Sequence, residues 1–219
     1  MKKLFIISLI VFLLSGCGLF GDKIDHKMDK TADELAQEGA VAFQQEDYKA
    51  ALKAYTDIKD WYPFSKYAIL AELLIADSHF FLAEYDEALL AYEEFESQHP
   101  RNEAISHVIY QKGLCWFKRV GSIDRDHTPA LNSITQFKRL IDQFPDSKYA
   151  EKAKEHIEKS MGIIIGHELY VADFYMRTKE YKAALSRYKT IVEKYPGTPE
   201  SKAASAQIPV CQTLLIREN

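Results

Sequence analysis

Few residues of this chain are spaced for chemistry. Asp124-Arg125-Asp126 begins like a calcium loop, but an EF-hand needs glycine at its sixth position and glutamate at its twelfth; here those places hold Pro129 and Thr135. A solvated or salt-bridged loop is the reading that remains. His167-Glu168 lacks the second histidine of a zinc-protease helix, and no two of the seven histidines are four residues apart. No glycine-rich phosphate loop occurs, and no serine sits in a G-x-S-x-G turn. Paired carboxylates such as Glu93-Glu94 belong on solvated helix faces. Gly162-Ile163-Ile164-Ile165-Gly166 has the small-xxx-small spacing of membrane helices, yet Glu155, Glu158, Lys159 and Glu168 flank it too closely for a span. No catalytic constellation, metal-ligand set or cofactor site emerges, so an enzyme is not expected.

The thiol of Cys17 is the exception. Lys2 and Lys3 precede an apolar run, Leu4 to Leu14, too short for a membrane span but fit for the core of a signal peptide. The run ends in Leu14-Ser15-Gly16-Cys17, which resembles the bacterial lipoprotein signal: small residues before a cysteine that is lipidated and becomes the new N-terminus. An ordinary secretory cleavage site with an incidental cysteine is the alternative. Gly18 stands where an aspartate would retain a lipoprotein at the inner membrane, so the outer membrane, periplasmic face, is expected. Several acyl chains would anchor the chain stably, each buried CH₂ contributing about 0.8 kcal/mol.

Removing residues 1–16 leaves 203 of the 219 residues and, with Lys2 and Lys3 gone, takes the formal charge from −4 to −6. That mild acidity, with no basic block, argues against nucleic acid. Cys115 and Cys211 are the thiols left; both are expected to be buried and unpaired.

The elements that must position these residues are legible from one recurrence. Pro63, Pro100, Pro145 and Pro196 each follow an aromatic eight residues earlier (Tyr55, Tyr92, Phe137, Tyr188) and a small residue twelve earlier (Ala51, Ala88, Ser133, Ala184). Three have a tyrosine fifteen earlier: Tyr48, Tyr85 and Tyr181. Gly39 and Ala76, like Phe43 and Phe80, lie 37 apart. A period of this length signals stacked helical hairpins resembling tetratricopeptide repeats, with the proline ending each second helix. The expected fold is an all-α superhelix, an α-solenoid of about four full hairpins plus a C-terminal capping helix. Residues 1–16 form the signal peptide, 17–30 a lipidated tether and 31–219 the solenoid, with repeats near 31–63, 65–100, 101–145 and 147–196 and a partial one at 199–219.

Two breaks in the period stand out. Pro100 and Pro145 are 45 apart, and the excess falls in Val120 to Pro129, read as a surface loop. Pro145 and Pro196 are 51 apart, and Ser147 to Arg177 reads as one long helix, about 46 Å if unbroken. The last helix is expected to be interrupted or kinked near Pro209.

Trp61-Tyr62-Pro63-Phe64-Ser65-Lys66-Tyr67 is denser in aromatics than a turn needs. It reads either as a filled junction between units one and two or as part of a groove for apolar peptide side chains. The first helices would add Leu73, Asp77, Phe80, Phe81, Tyr110, Phe117 and Lys118 to such a groove, with aromatics giving contact area and Asp77 or Lys118 holding polar groups.

Cys17, Tyr62-Pro63-Phe64-Ser65, His99-Pro100 and Tyr110-Gln111-Lys112-Gly113-Leu114 together resemble one family, BamD, the lipoproteins of the outer-membrane β-barrel assembly machine. The likeness continues through Asp124-Arg125-Asp126, Phe144-Pro145-Asp146-Ser147-Lys148-Tyr149, the long helix and Tyr195-Pro196-Gly197-Thr198, and both period breaks fall where the family has them. The resemblance implies a non-catalytic adaptor without cofactor. Its C-terminal repeats would dock to the periplasmic domains of BamA, with Arg187 as the candidate contact. Its N-terminal repeats would engage unfolded outer-membrane protein precursors, with Tyr62, Phe64, Tyr67, Asp77 and Phe81 as candidates. Other Bam lipoproteins are further possible partners. The chain departs from the family in ending soon after Pro209. A repeat lipoprotein scaffolding a cell-wall or division complex is the alternative function.

Overall fold

The computed structural model describes residues 30–122 and 126–218. The signal peptide, Cys17, all of the tether but Lys30, and Asp124 and Arg125 of the loop lie outside the described residues. Among those described, nine helices and no strand occur: α1 (Ala32–Gln44), α2 (Tyr48–Trp61), α3 (Ala68–Phe81), α4 (Tyr85–Gln98), α5 (Ile105–Lys118), α6 (Thr128–Gln143), α7 (Ala150–Arg177), α8 (Tyr181–Lys194) and α9 (Pro199–Glu218). Each packs on the next in sequence, and α7 also touches α5 and α9. The fold is therefore all-α, a stack of helical hairpins of the tetratricopeptide kind. None of the described helices is long and apolar enough to cross a membrane.

The second helix of each hairpin is built on one pattern. Ala51, Ala88, Ser133 and Ala184 are fully buried, and Tyr55, Tyr92, Phe137 and Tyr188 sit one turn on in the core. Ile58, Phe95, Leu140 and Ile191 follow three residues later, again buried. This is the i, i+4, i+7 stripe of a helix that buries one face. The first helices answer with small residues: a Cβ on Gly39 would come within 2.7 Å of Tyr55, and one on Gly113 within 2.5 Å of Phe137. Ala76 and Ala172, both fully buried, occupy the matching places in the second and fourth hairpins.

Two kinds of turn alternate. Within three hairpins the chain reverses through one non-glycine residue of positive φ, at Glu46 (61°), Ala83 (60°) and Lys179 (63°). The following N–H closes onto the carbonyl five residues back, as Asp47 does to Ala42, Glu84 to His79 and Glu180 to Tyr175, which satisfies the helix end. Between hairpins, Tyr62, His99, Phe144 and Tyr195 end the helix with ψ of 49°, 54°, 62° and 53°, outside the α region that the following proline disfavours.

The third hairpin differs. The loop expected to run to Pro129 ends earlier, since α6 begins at Thr128 and takes Pro129 into its first turn, where the missing N–H costs nothing. Of the interruption or kink expected near Pro209, the interruption does not occur: the last helix runs from Pro199 to Glu218 with Pro209 inside it. The long helix is unbroken at 28 residues, about 42 Å. Its two halves serve different cores: Ala153 and Ile157 pack with α4 to α6, while Ile165 and Ala172 pack with α8 and α9.

Candidate interaction surfaces

The aromatic turn of the first hairpin is fixed by three backbone bonds: Tyr62 N–H to Ile58 O, Ser65 N–H to Tyr62 O, and Ala68 N–H to Ser65 O. With both ends tied, Phe64 at the tip is 100% exposed. Tyr62 and Tyr67 are half-buried and pack on the first core. The Tyr67 hydroxyl donates across to the Asp33 carboxylate on α1. Behind it opens a cavity of about 520 Å³ between α1 and α3, walled by Ala36, Leu70 and Leu74 and floored by Tyr55 and Ile58. Tyr67 thus both fills the junction and borders this cavity, whereas none of the first-helix residues expected to line a groove does so.

Phe81 lies at the other end of α3, about 20 Å along the axis from Tyr67. It is half-exposed, stacked on Tyr48 at 4.7 Å, with Phe43 edge-on at 5.7 Å. The structure therefore gathers Tyr62, Phe64 and Tyr67 and leaves Phe81 on a separate aromatic ledge.

Asp77 is 8% exposed. Its carboxylate accepts from the Tyr92 hydroxyl at 2.5 Å and meets His107 Nε2 at 2.8 Å. Burial first, then the Asp77 charge and hydrogen bond, push the Tyr92 phenol well above its usual pKa. The same bond recurs in the fourth hairpin, where Tyr188 donates to Asp173. Both pairs are fifteen residues apart; that repeated Asp/Tyr spacing was the available signal for Asp77 as a strut between paired helices. Of the other first-helix residues, Tyr110 is buried, and Leu73, Phe80 and Phe117 pack against the same core.

Arg187 stands on α8, 43% exposed, and its Nη1 donates to Glu168 Oε2 of α7 at 2.8 Å. The neighbouring sequence is net cationic: α8 carries Lys182, Lys189 and Lys194 against Glu193, and Arg177 and Lys179 against Glu180 precede it. A wider division underlies this. Residues 32–98 hold fifteen acidic and four basic side chains, whereas residues 99–219 hold nineteen basic and fourteen acidic. The small net charge of the chain conceals two halves of opposite sign.

Between the halves, Glu96 of α4 takes Lys112 Nζ of α5 at 3.2 Å and the Arg139 guanidinium of α6. Burial would raise the Glu96 pKa, but the bonds and charges of Arg139 and Lys112 outweigh it and hold it below the usual carboxylate value. Cys115 is fully buried, its thiol pushed up to about 12 by burial, and Cys211 is fully buried as well. Both are unpaired. Among the described residues no group of three or more histidine, cysteine or acidic side chains could hold a metal ion.

Comparison of the sequence with known proteins points to a family of outer membrane lipoproteins. A family model described as outer membrane lipoprotein, YfiO, matches residues 28–214. The outer membrane protein assembly factor BamD of Neisseria gonorrhoeae is 29% identical over 211 residues, spanning 90% of this chain and 79% of that protein. The BamD of Rickettsia prowazekii is 28% identical over 203 residues (93% and 80%). That of Vibrio cholerae is 25% identical over 217 residues (94% and 89%). With the match running from the tether through nearly all of α9, the chain belongs to the YfiO family of outer membrane lipoproteins.

Proposed function

We propose that this chain is a non-catalytic adaptor of the outer-membrane β-barrel assembly machine, docking to BamA and helping to capture and insert β-barrel precursors. The observation that carries the reading is the family match over residues 28–214, joined by relatives named as outer membrane protein assembly factors. Lipid on Cys17 holds the chain at the periplasmic face of the outer membrane, and the tether lets the helices stand off the surface. The N-terminal hairpins engage unfolded precursors through Tyr62, Phe64 and Tyr67 beside the α1–α3 groove, with Phe81 as a second apolar contact. Asp77 acts from beneath by fixing α3 to its neighbours. The C-terminal hairpin docks to the periplasmic domains of BamA through Arg187, and other Bam lipoproteins are further partners. Holding precursor and BamA on one body raises their mutual concentration without any new contact.

Co-purification from detergent-solubilised membranes tests this. Recovery of a large β-barrel partner is expected; recovery of peptidoglycan-associated proteins in its place would favour the cell-wall or division scaffold. For the anchor, Cys17→Ala is expected to release the chain to the soluble periplasm on fractionation, and a variant still wholly membrane-bound would exclude lipidation as the anchor.

A further inference from the structure

We propose that Glu168 is a positioning residue for the docking face of the fourth hairpin. It steadies the Arg187 guanidinium so that its Nε–Nη2 edge takes a carboxylate of an acidic partner surface in bidentate fashion. The proposal rests on the docking role given to Arg187 above.

The geometry has three parts. First, the Glu168–Arg187 pair joins two different helices, 19 residues apart in sequence, and is only half-sheltered, with side-chain exposures of 28% and 43%. Second, Nη1 is the one atom of this guanidinium in a hydrogen bond among the described residues. The fork has two edges that suit a carboxylate, and bonding Nη1 leaves the Nε–Nη2 edge intact. Third, a lone exposed arginine must give up rotamer freedom when it docks. A guanidinium already held by Glu168 has less to lose, so less of the contact energy is spent on ordering. The surrounding charge selects the partner: Lys194, two turns from Arg187 on the same face, and Lys182 and Lys189 on the same helix complement acidic groups and repel basic ones.

A plain structural brace between α7 and α8 would have different consequences. A half-exposed ion pair contributes little to stability, so its removal as a brace would barely move the melting temperature and would leave docking alone.

The test uses the full lipidated chain in detergent and purified BamA periplasmic domains as the probe, with affinity and dissociation rate measured alongside thermal unfolding. Glu168→Ala is expected to weaken binding roughly 3- to 10-fold, mainly through faster dissociation, with an unchanged melting curve. Arg187→Ala weakens it at least as much, and adding Glu168→Ala to Arg187→Ala costs nothing further. Glu168→Gln recovers part of the loss, because its amide oxygen still accepts from Nη1. Binding by Glu168→Ala as tight as wild type, or an equal loss in both backgrounds, overturns the positioning role while leaving Arg187 as the contact. Unchanged binding by Arg187→Ala instead overturns the docking role itself and the proposal with it.

Discussion

Asp77 and Phe64 were candidates for the same surface, yet they meet opposite physical demands. The Asp77 carboxylate ties α3 to α4 through Tyr92 and to α5 through His107. Asp77→Ala strands a buried phenol and an imidazole, so a loss of about 2–3 kcal/mol is expected in urea unfolding. Phe64, wholly exposed, is expected to move stability by less than about 0.5 kcal/mol on truncation to alanine, and to show itself only in precursor binding. Sequence placed both residues near the right helices. It could not separate them, because a polar residue within an apolar helix reads alike whether it bonds inward or faces a groove. A half-buried imidazole should respond to pH. His156 of α7 is stacked on Phe137 at 5.1 Å with Phe117 edge-on at 4.8 Å, and its buried Nδ1 has no hydrogen-bond partner. Burial first, then the charges of Lys159 and Lys118 against that of Glu155, lower its pKa from 6.5. The unfolded imidazole therefore takes a proton before the native one does. Stability is complete above about pH 6.5 and falls as pH drops through the window down to the native value. Glu96, depressed below 4.5, adds a separate loss as pH falls through its own native value. The urea midpoint measured against pH should show both phases, and His156→Phe should flatten only the upper one.

At the level of the helices, the turns inside the hairpins carry a correctable strain. Ala83 sits at φ 60° with a Cβ that disfavours it. Ala83→Gly is expected to stabilise the protein by about 0.5–1 kcal/mol, read as a raised melting temperature. Gly113→Ala is expected to do the reverse, costing about 1–3 kcal/mol, because the new Cβ meets the Phe137 ring at 2.5 Å. The contrast marks what the sequence disclosed. Spaced prolines and aromatics announced four second helices, since a repeated core contact needs the same side chain each time. The reversals between Gln44 and Tyr48, or Phe81 and Tyr85, carried no glycine to announce positive φ. Gly113, a further 37 residues on, continues the Gly39–Ala76 series in plain view, whereas Ala172 falls 59 residues later, hidden from that period by the inserted loop and the long helix.

Across the whole chain, the opposite signs of the two halves set how partners arrive. If the basic C-terminal part meets an acidic face of BamA, salt should slow the encounter more than it speeds the departure. Raising ionic strength from about 0.01 to 0.15 M shortens the screening length from about 30 to 8 Å. Stopped-flow association rates should fall steeply over that range while dissociation rates hardly change; equal rates throughout would mean that the division of charge plays no part in docking. The balance of charge over the full chain gave no hint of this, because averaging erased it. The long helix has a different kind of reach. Most elements here lean only on adjacent ones, so the outer hairpins can open without the rest. α7 alone contributes side chains to cores shared with α4 to α6 and to cores shared with α8 and α9. Melting its middle means dissolving both at once. Amide protons around Ile164 and Ile165 should thus be the last to trade with deuterium, and those of α1 among the first, which makes this rod the keel on which the later half of the molecule assembles.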